Sequence, residues 1–414
     1  MFRRDVSRSI PRRTACARRM AACFTRAVNG RLSVERIEGP LELGQLRHEV
    51  ERLSASMHPR LPFATVDWML SWWQLFGEKR ALVRDRFFVH ALRDEQGTLV
   101  ALAPLLLTER PATGPLRVRM ITFFGVDKNI TELRGLICAP ANEAVAVEAL
   151  LAHLSARADE WDWLVWDGVR QGGSAHRMLS GLPDFDWRRE TPSYVLELPA
   201  TWEEFRATRP RNVKEALRKC YNSLARDQHS FDFHAITEAS GLPGALERFF
   251  HLHRQRARAP ELVPHADYFS LAHTRQLLLE LARTPERAPA LHVFELTIGG
   301  HLVASRVGFL LGDELYLYFS GFDPAWARYS VMTTTVAEAI KWAILRKLRV
   351  VNLSAGTDVS KTRWRPDVVT TCSGVLLAPH RRARLKWHLA QRVEENGREG
   401  AWLSHLVKLA RRRG

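Results

Sequence analysis

The most constraining feature of this chain is a pattern of predicted elements that occurs twice. Residues 87–107 alternate like a β-hairpin, with the turn at 94–97. Residues 292–311 alternate in the same way around Gly299 and Gly300. Glycine supplies the positive φ that tight hairpin turns require, so each segment predicts two antiparallel strands.

In each half the predicted hairpin is followed by a strand that ends in Gly-x-Asp. The two strands are "MITFFGVD" at 120–127 and "LYLYFSGFD" at 315–323. A helix and another strand come next in both halves, at 141–157 with 161–169 and at 331–347 with 348–354. The repeated order predicts an α/β fold of two similar units, each a mixed sheet flanked by helices.

The predicted domain boundary lies near "ETPSYVLELPATWEEF" at 190–205, where Thr201 can cap the next helix. We expect four segments. These are a basic, disordered segment at 1–31, a first domain at 32–193, a second domain at 194–379 and a basic helical tail at 380–414.

Positive charge is concentrated at the two ends of the chain. Of the formal net charge of +16, residues 1–31 carry +8 and residues 380–414 carry +7, so the body between them is nearly neutral. A basic tail can contact an anionic membrane surface or nucleic acid, although a solvated arm is the simpler interpretation.

Composition and motifs exclude several classes of protein. No apolar run approaches the roughly 18 residues of a membrane span, and the first thirty residues lack the apolar core of a secretory signal. The five cysteines are scattered without metal-ligand spacing, which indicates a reducing compartment and predicts no metal site. We therefore expect a cytoplasmic protein.

Several stretches resemble the CelD/BcsL-type branch of the GNAT acyltransferases, which has a BioF2-like acetyltransferase domain. In the first half these are "LPFATVDWMLSWWQLFG" and "GTLVALAPLLL". In the second half they are "RPRNVKEALRK", "FFHLHRQR", "LYLYFSGFDPAWARYSVMTTTVAEAIKWAI" and "NLSAGTDVSKTRW". The resemblance spans roughly residues 32–375 and extends in architecture to the Fem peptidyltransferases.

The resemblance implies a tandem GNAT fold in which the second half holds the acyl donor. It implies acyl transfer from a CoA thioester, with acetyl-CoA as the expected co-substrate, or from aminoacyl-tRNA if the chain works like a Fem enzyme. It also implies an acceptor that is a small molecule or is linked to a glycan or lipid, in exopolysaccharide, cellulose or cell-envelope synthesis.

The segment "ARYSVMTTT" at 327–335 begins the helix that follows the second Gly-x-Asp strand. A helix N-terminus there offers unpaired N–H groups to an anion such as a diphosphate. With the resemblance, this predicts donor binding by Arg328, Tyr329, Ser330, Thr333 and Thr334. Simple capping by Ser330 is the alternative. Relatives carry Pro-Gly where this chain has Val331–Met332, and losing glycine restricts backbone approach to a phosphate.

Three residues are candidates for the chemistry. Lys361, in "GTDVSKTRW", can stabilise a developing oxyanion, or it can form a surface ion pair with Asp358. Asp323 follows a strand end and can accept a proton, or it can simply form a turn. Tyr318 lies where we expect the sheet to open for the donor's pantetheine arm.

A basic patch interrupts the neutral body at residues 206–226. Arg211, Lys214 and Arg218 lie within two helical turns and can bind a phosphate of the donor or acceptor, or can form a solvated helix face. No base-reading signature accompanies the patch, so the sequence does not favour nucleic-acid binding, with tRNA as the alternative.

These observations predict an acyltransferase of the GNAT type. Two further hypotheses stay open: aminoacyl transfer from tRNA, and a non-catalytic GNAT derivative that serves polysaccharide assembly.

Overall fold

The structure is a computed structural model, and it describes residues 32–395 except 115–116, 128, 260–261, 263 and 285–286. The N-terminal segment and most of the C-terminal tail that the sequence analysis singled out lie outside the described residues. No helix in the described ranges is long and apolar enough to cross a membrane.

The first half contains ten strands and five helices among its described residues. The strands are β1 (Ser33–Ile37), β2 (Lys79–Arg80), β3 (Val83–Phe87), β4 (Val89–Arg93), β5 (Leu99–Ala103), β6 (Leu105–Arg110), β7 (Val118–Phe123), β8 (Ile137–Cys138), β9 (Trp163–Arg170) and β10 (Phe185–Glu197). The helices are α1 (Pro40–Gln45), α2 (Arg47–Ser56), α3 (Val66–Phe76), α4 (Glu143–Ala156) and α5 (Ser174–Ser180).

The second half adds six strands and seven helices in its described part. The strands are β11 (Phe231–Ile236), β12 (Ala290–Ile298), β13 (His301–Leu311), β14 (Glu314–Phe322), β15 (Val350–Ala355) and β16 (Asp367–Leu377). The helices are α6 (Trp202–Thr208), α7 (Arg211–Arg226), α8 (Leu242–Ala257), α9 (Ala272–Leu281), α10 (Val331–Leu345), α11 (Val359–Thr362) and α12 (Arg381–Glu395).

One sheet of twelve strands runs through both halves. Its order is β11-β12-β13-β14-β15-β10-β16-β9-β7-β6-β3-β2, and a separate sheet has the order β1-β4-β5-β8. Strand β10 pairs with β15 on one side and β16 on the other, so it runs through the expected boundary at 193. The exact division into domains stays a prediction.

The repeat expected from the sequence is present in the topology. Strand β7 pairs in parallel with β9, and β14 pairs in parallel with β15, while all the other pairings among the described residues are antiparallel. A helix, α4 or α10, connects each parallel pair, as the sequence predicted. The fold is therefore a mixed α/β fold of two similar units.

The two predicted hairpins form, but they belong to different sheets. Strands β12 and β13 pair in the large sheet, with Gly299 and Gly300 at positive φ in their turn. Strands β4 and β5 pair in the small sheet, while β6, predicted as part of the same hairpin, pairs with β3 and β7 in the large one.

The core between the two halves is rich in aromatic residues. Trp68 of α3 packs edge-on against Phe63, Phe309 and Tyr318, at ring-centroid distances of 4.7, 5.8 and 6.2 Å. Burying a side chain of this kind stabilises a fold by roughly 1.5–3 kcal/mol. The packing fixes strands β13 and β14, which carry the candidate site, against the first half.

Candidate functional site

The candidate site lies where strands β14 and β15 separate. They pair from Glu314–Val350 to Tyr316–Asn352, and β14 then continues to Phe322 without β15 as a partner. The opening thus begins at Tyr316, two residues before the predicted position. Ligands of α/β folds bind beyond the carboxyl ends of such strands.

Helix α10 begins at this opening after a short 3₁₀ turn, Pro324–Tyr329. Ser330 has left-handed backbone angles, φ 54° and ψ 42°, and its carbonyl accepts the N–H groups of Thr333 and Thr334 at 2.8 and 3.3 Å. The N–H groups of Val331 and Met332 have no backbone acceptor among the described residues. The start of this fifteen-residue helix therefore presents two unpaired donors, as an anion site needs.

A cavity of about 640 Å³ adjoins the helix start and the opening. It is lined by Ser330, Thr333, Lys361 and Tyr318, which the sequence analysis had selected. Residues from the first half, including Glu132, line its other walls. The structure therefore brings four predicted residues of the second half to one cavity that both halves form.

Three of the predicted donor-binding residues do not line this cavity. Arg328 stacks over the ring of Tyr329 at 4.7 Å and donates to its hydroxyl at 2.8 Å. Tyr329 is buried, and its hydroxyl donates to Asp227 at 2.9 Å. Thr334 is also fully buried. These contacts hold the 3₁₀ turn against the end of α7. They therefore stabilise the fold and leave Arg328 and Tyr329 outside the cavity.

Asp323 has the turn-forming arrangement that the sequence analysis allowed as its alternative. Its carboxylate accepts the N–H of Ala325 at 3.0 Å and caps the 3₁₀ turn. The side chain does not line the cavity. The structure therefore does not bring this carboxylate to the place where an acceptor would lose a proton.

The basic patch lies on the exposed face of α7. Arg211 pairs with Glu215 at 2.7 Å, and Lys214 donates to the carbonyl of Ala207 at 2.8 Å. Arg218 is exposed as well, and none of the three basic residues lines the cavity. The patch is therefore separate from the cavity.

Lys361 lies in a largely buried group of charged and polar side chains. Its ammonium donates to the carbonyl of Ala355. Burial lowers the pKa of Lys361, while the nearby Glu132 carboxylate opposes that shift. Tyr316, fully buried on β14, donates its hydroxyl to Glu132. Lys361 is therefore not the solvated surface residue of the alternative interpretation.

Glu132 and Arg306 complete the group. Burial raises the pKa of Glu132, and the neighbouring Lys361 opposes the shift. Burial lowers the pKa of Arg306 to about 10, and Glu132 opposes that shift too. Each group therefore depends on its neighbours to stay charged in a site of low polarity.

Glu132 belongs to a stretch of the first half, residues 129–134, that we call the crossing segment. The Asp127 carboxylate caps it by accepting the N–H of Ile130 at 2.7 Å. Tyr318 donates its hydroxyl to the carbonyl of Ile130, and the Trp68 indole donates to Thr131 at 3.1 Å. These bonds fix the segment against β14, so the first half supplies a carboxylate to the site of the second.

The end of the same segment packs against strand β9 of the first half. Strands β7 and β9 pair in parallel only at Met120–Trp163 and Ile121–Leu164. A Cβ on Gly168 of β9 would lie 1.9 Å from the carbonyl oxygen of Arg134, so backbone contacts backbone there. Among the described residues, the end of the crossing segment therefore lies directly on β9, close to where β7 and β9 stop pairing.

Glu132, Arg306 and Arg256 also line the cavity, although none of them was predicted from the sequence. Arg306 had a readable signal, because it is a lone charge in the apolar strand "HLVASRVGFLL". Glu132 and Arg256 lie in segments with many other charged residues. Their positions depend on contacts between distant parts of the chain, which no local pattern encodes.

Comparison with known proteins supports the fold. Residues 211–362 match the model of a family described as an acetyltransferase (GNAT) domain. The crystal structure of FemX superimposes with a TM-score of 0.55 at 11% identity, covering 82% of this chain and 96% of that one. The comparison with curated proteins gives no match.

Two other solved structures align over most of the chain with lower scores. A conserved protein of unknown function from Bacteroides thetaiotaomicron gives a TM-score of 0.45 at 12% identity, covering 83% of this chain and 100% of that one. A tandem GNAT protein from the clavulanic acid biosynthesis pathway gives 0.38 at 11% identity, covering 84% and 98%. The chain has a GNAT fold, and residues 211–362 of its second half are similar to the acetyltransferase (GNAT) domain family.

Proposed function

We propose that this protein transfers an acyl group from an acyl-CoA thioester to an amine or hydroxyl group of its acceptor. One observation carries the proposal: the unpaired N–H groups at the start of α10 and the ammonium of Lys361 belong to the same cavity, where β14 and β15 separate. A diphosphate and a thioester carbonyl need these two kinds of group at the two ends of one site.

The residues at the start of α10 fit the diphosphate of CoA. Val331 and Met332 offer N–H groups, and Thr333 offers a hydroxyl. Arg363 donates to the Thr333 hydroxyl at 3.0 Å and lines the same wall. The Val331 side chain is buried in a cluster with Leu224, so its bulk is accommodated away from the N–H groups despite the absence of glycine.

Lys361 is the proposed catalytic group. Its cation would stabilise the negative charge that develops on the thioester oxygen when the acceptor attacks. The attacking amine or hydroxyl loses its proton, and the CoA sulfur leaves as the thiol. Glu132 would act on Lys361 as a positioning residue, because its carboxylate favours the charged form of the lysine.

Calorimetric titration with acetyl-CoA tests the donor site. Thr333→Glu places a carboxylate among the proposed phosphate contacts, while a negative charge in a first helical turn favours the helix itself. We expect affinity to fall about tenfold or more, which is the loss of one or two charge-assisted hydrogen bonds. Arg218→Glu, on the exposed patch, lowers the net charge by two units where Thr333→Glu lowers it by one, so it is a stringent control for charge alone and should bind like the wild type.

The absence of acetyl-CoA binding at millimolar concentration would contradict the proposal. Equal loss in Thr333→Glu and Arg218→Glu would instead place the donor on the patch of α7. A protein that retains tRNA with strong salt dependence, and does not bind acetyl-CoA, would support the Fem-like alternative. A cellular phenotype of gene deletion that the Lys361→Met variant rescues as well as the wild type would support the non-catalytic alternative.

The resemblance to CelD/BcsL-type proteins supports an acceptor in exopolysaccharide or cell-envelope synthesis, at the cytoplasmic side. The basic tails would allow peripheral contact with an anionic membrane near such an acceptor. Chromatography of the products formed from radiolabelled acetyl-CoA and cell-envelope fractions would identify the acceptor directly.

A further inference from the structure

The cavity is also lined by two cations outside α10, Arg256 of α8 and Arg306 of β13. Arg306 is 6% exposed, and Arg256 is half-buried. Arg256 donates to the hydroxyl of Ser320 at 3.3 Å, and Ser320 is the residue that pairs with Arg306 across β13 and β14. The two guanidinium groups therefore meet around one position of the sheet.

Neither guanidinium has an ion-pair partner within 4.0 Å among the described residues. Arg306 donates once, to the carbonyl of Leu317 at 3.2 Å, and its Nε lacks any hydrogen-bond partner in the described chain. A buried charge without a partner is unfavourable, because it has lost water and gained no opposite charge in its place. Arg306 therefore has unsatisfied donors next to the cavity.

The carboxylates that share the cavity are already engaged. Asp127 caps the crossing segment and accepts the Trp72 indole at 2.9 Å. Glu132 accepts the Tyr316 hydroxyl, and Asp358 caps α11 through the N–H of Ser360 at 2.7 Å. Burial lowers the pKa of both arginines, and the distant carboxylates oppose this only in part.

We propose that the acceptor is an anion, and that its carboxylate or phosphate group binds between Arg256 and Arg306. This inference rests on the proposed function, since it assigns the second substrate of the same cavity. Guanidinium groups present paired donors that match the oxygens of both anions. Arg256 on α8 and Arg306 on β13 belong to other elements than the N–H donors of α10, so we assign the anionic group of the acceptor and the diphosphate of the donor to different parts of the cavity.

Aromatic side chains beside the arginines indicate what kind of group the acceptor carries next to its anion. Tyr268 and Phe319 line the same wall, with ring centroids 5.0 Å apart. The Tyr268 hydroxyl accepts a hydrogen bond from Asn129 of the crossing segment at 3.3 Å. An aromatic ring, or the apolar C–H face of a sugar ring, fits against such a wall. The acceptor class is therefore a ring-bearing carboxylate or phosphate ester.

Three small probes test the site: phenyl phosphate, benzoate and the uncharged benzamide. We would measure their binding to the full-length protein by ligand-observed NMR at fixed ionic strength, with and without saturating CoA. We expect at least one anion to bind about tenfold more tightly than benzamide, the gain typical of one charge-assisted hydrogen-bonded pair. The affinities of phenyl phosphate and benzoate, compared with each other, show whether the site prefers a phosphate or a carboxylate.

Two variants locate the binding. Arg306→Gln and Arg256→Gln should each weaken the preferred anion about tenfold and leave benzamide unchanged. Arg256 is less buried, so its variant remains informative if Arg306→Gln does not fold. Arg248→Gln is the control, because Arg248 lies on the same helix and pairs with Glu295 at 2.9 Å outside the cavity.

Anions that bind no better than benzamide would overturn the inference, as would anion binding that saturating CoA abolishes. Unchanged affinity in both Arg306→Gln and Arg256→Gln would also overturn it. Failure of the donor proposal gives a different result. Acetyl-CoA would then not bind, while the anion would still bind more tightly to the wild type than to the two variants.

Discussion

Lys361 and Glu132 come from different halves of the chain and control each other's charge. Each is partly buried, and each favours the charged form of the other. The sequence selected Lys361 through the motif around it. Glu132 could not be found that way, because a side chain that meets its partners from 184 residues away leaves no local pattern.

Replacing Lys361 by methionine should remove the proposed oxyanion contact and keep the side chain's volume. We expect the rate of thiol release from acetyl-CoA, with a cell extract's small molecules as acceptors, to fall on the order of 10²-fold. The affinity for CoA should change less than about twofold, since Lys361 does not contact the diphosphate in this proposal. Lys341→Met is the control, because Lys341 pairs with Glu338 outside the cavity.

An equal fall in both variants, or loss of CoA binding in Lys361→Met alone, would contradict this assignment. The first result would mean that the rate responds to any lost lysine. The second would mean that Lys361 contacts the phosphates of the donor.

His90 should make the first half sensitive to acid. Burial and the neighbouring His153 lower the pKa of His90 to about 3, so the folded state keeps this imidazole neutral while the unfolded chain is protonated below about pH 6.5. The stability that the neutral form contributes is present above pH 6.5 and is lost as the pH falls from there toward 3. At pH 5 the loss is about 2 kcal/mol.

Urea denaturation of the wild type and His90→Leu between pH 8 and pH 5 measures this effect. The free energy of unfolding of the variant should fall less, by about 2 kcal/mol, over that interval. His251→Leu, at an exposed site, should follow the wild type. Parallel curves for wild type and His90→Leu would show that His90 does not carry the acid sensitivity.

The strand β14 and the helix α8 meet at a glycine. A Cβ on Gly321 would lie 2.4 Å from the amide nitrogen of His253 and 2.7 Å from the carbonyl carbon of Leu252. Both neighbours are backbone atoms of α8, so they cannot rotate away. This close approach positions Ser320 and Arg256 at the cavity.

Gly321→Ala should therefore push α8 away from the sheet and cost about 1–3 kcal/mol of folding free energy. We expect a lower urea midpoint and weaker anion binding at Arg256. Gly44→Ala is the control: Gly44 lies inside α1 and its Cβ would meet nothing closer than 4.0 Å, so this change should stabilise by roughly 0.5–1 kcal/mol. A neutral effect of Gly321→Ala would mean that the helix and strand can separate freely.

The element pattern was largely predictable, while the pairing of the elements was not. Helix α10 and strands β14 and β15 formed within a few residues of their predicted bounds, because periodicity and turn residues are local signals. The assignment of β4 and β5 to a sheet of their own depends on their pairing with β1 and β8. Pairing between distant strands is decided by tertiary packing, which a single sequence does not display.

Considered as a whole molecule, the two halves share both a sheet and a core. Strand β10 of the first half lies between β15 and β16 of the second, and one hydrophobic cluster contains Trp68 together with Phe309 and Tyr318. Separating the halves would expose a sheet edge and this aromatic core. The repeat was visible in the sequence, but this degree of sharing was not.

We therefore expect the two halves to unfold together. Thermal unfolding followed by calorimetry should give one transition, with the calorimetric enthalpy close to the van't Hoff enthalpy. A fragment that begins after β10, at residue 198, should not fold alone because β15 and β16 lose the strand between them. Two separate transitions, or a folded fragment, would show that the halves are independent.

The crossing segment has a consequence for stoichiometry. Arg134, at the end of this segment, packs on β9 beyond the short stretch where β7 and β9 pair, and other residues of the segment line the second unit's cavity. The proposed function therefore predicts a single place for a thioester. Titration should accordingly end at one equivalent of CoA per polypeptide, although the molecule contains two copies of the unit.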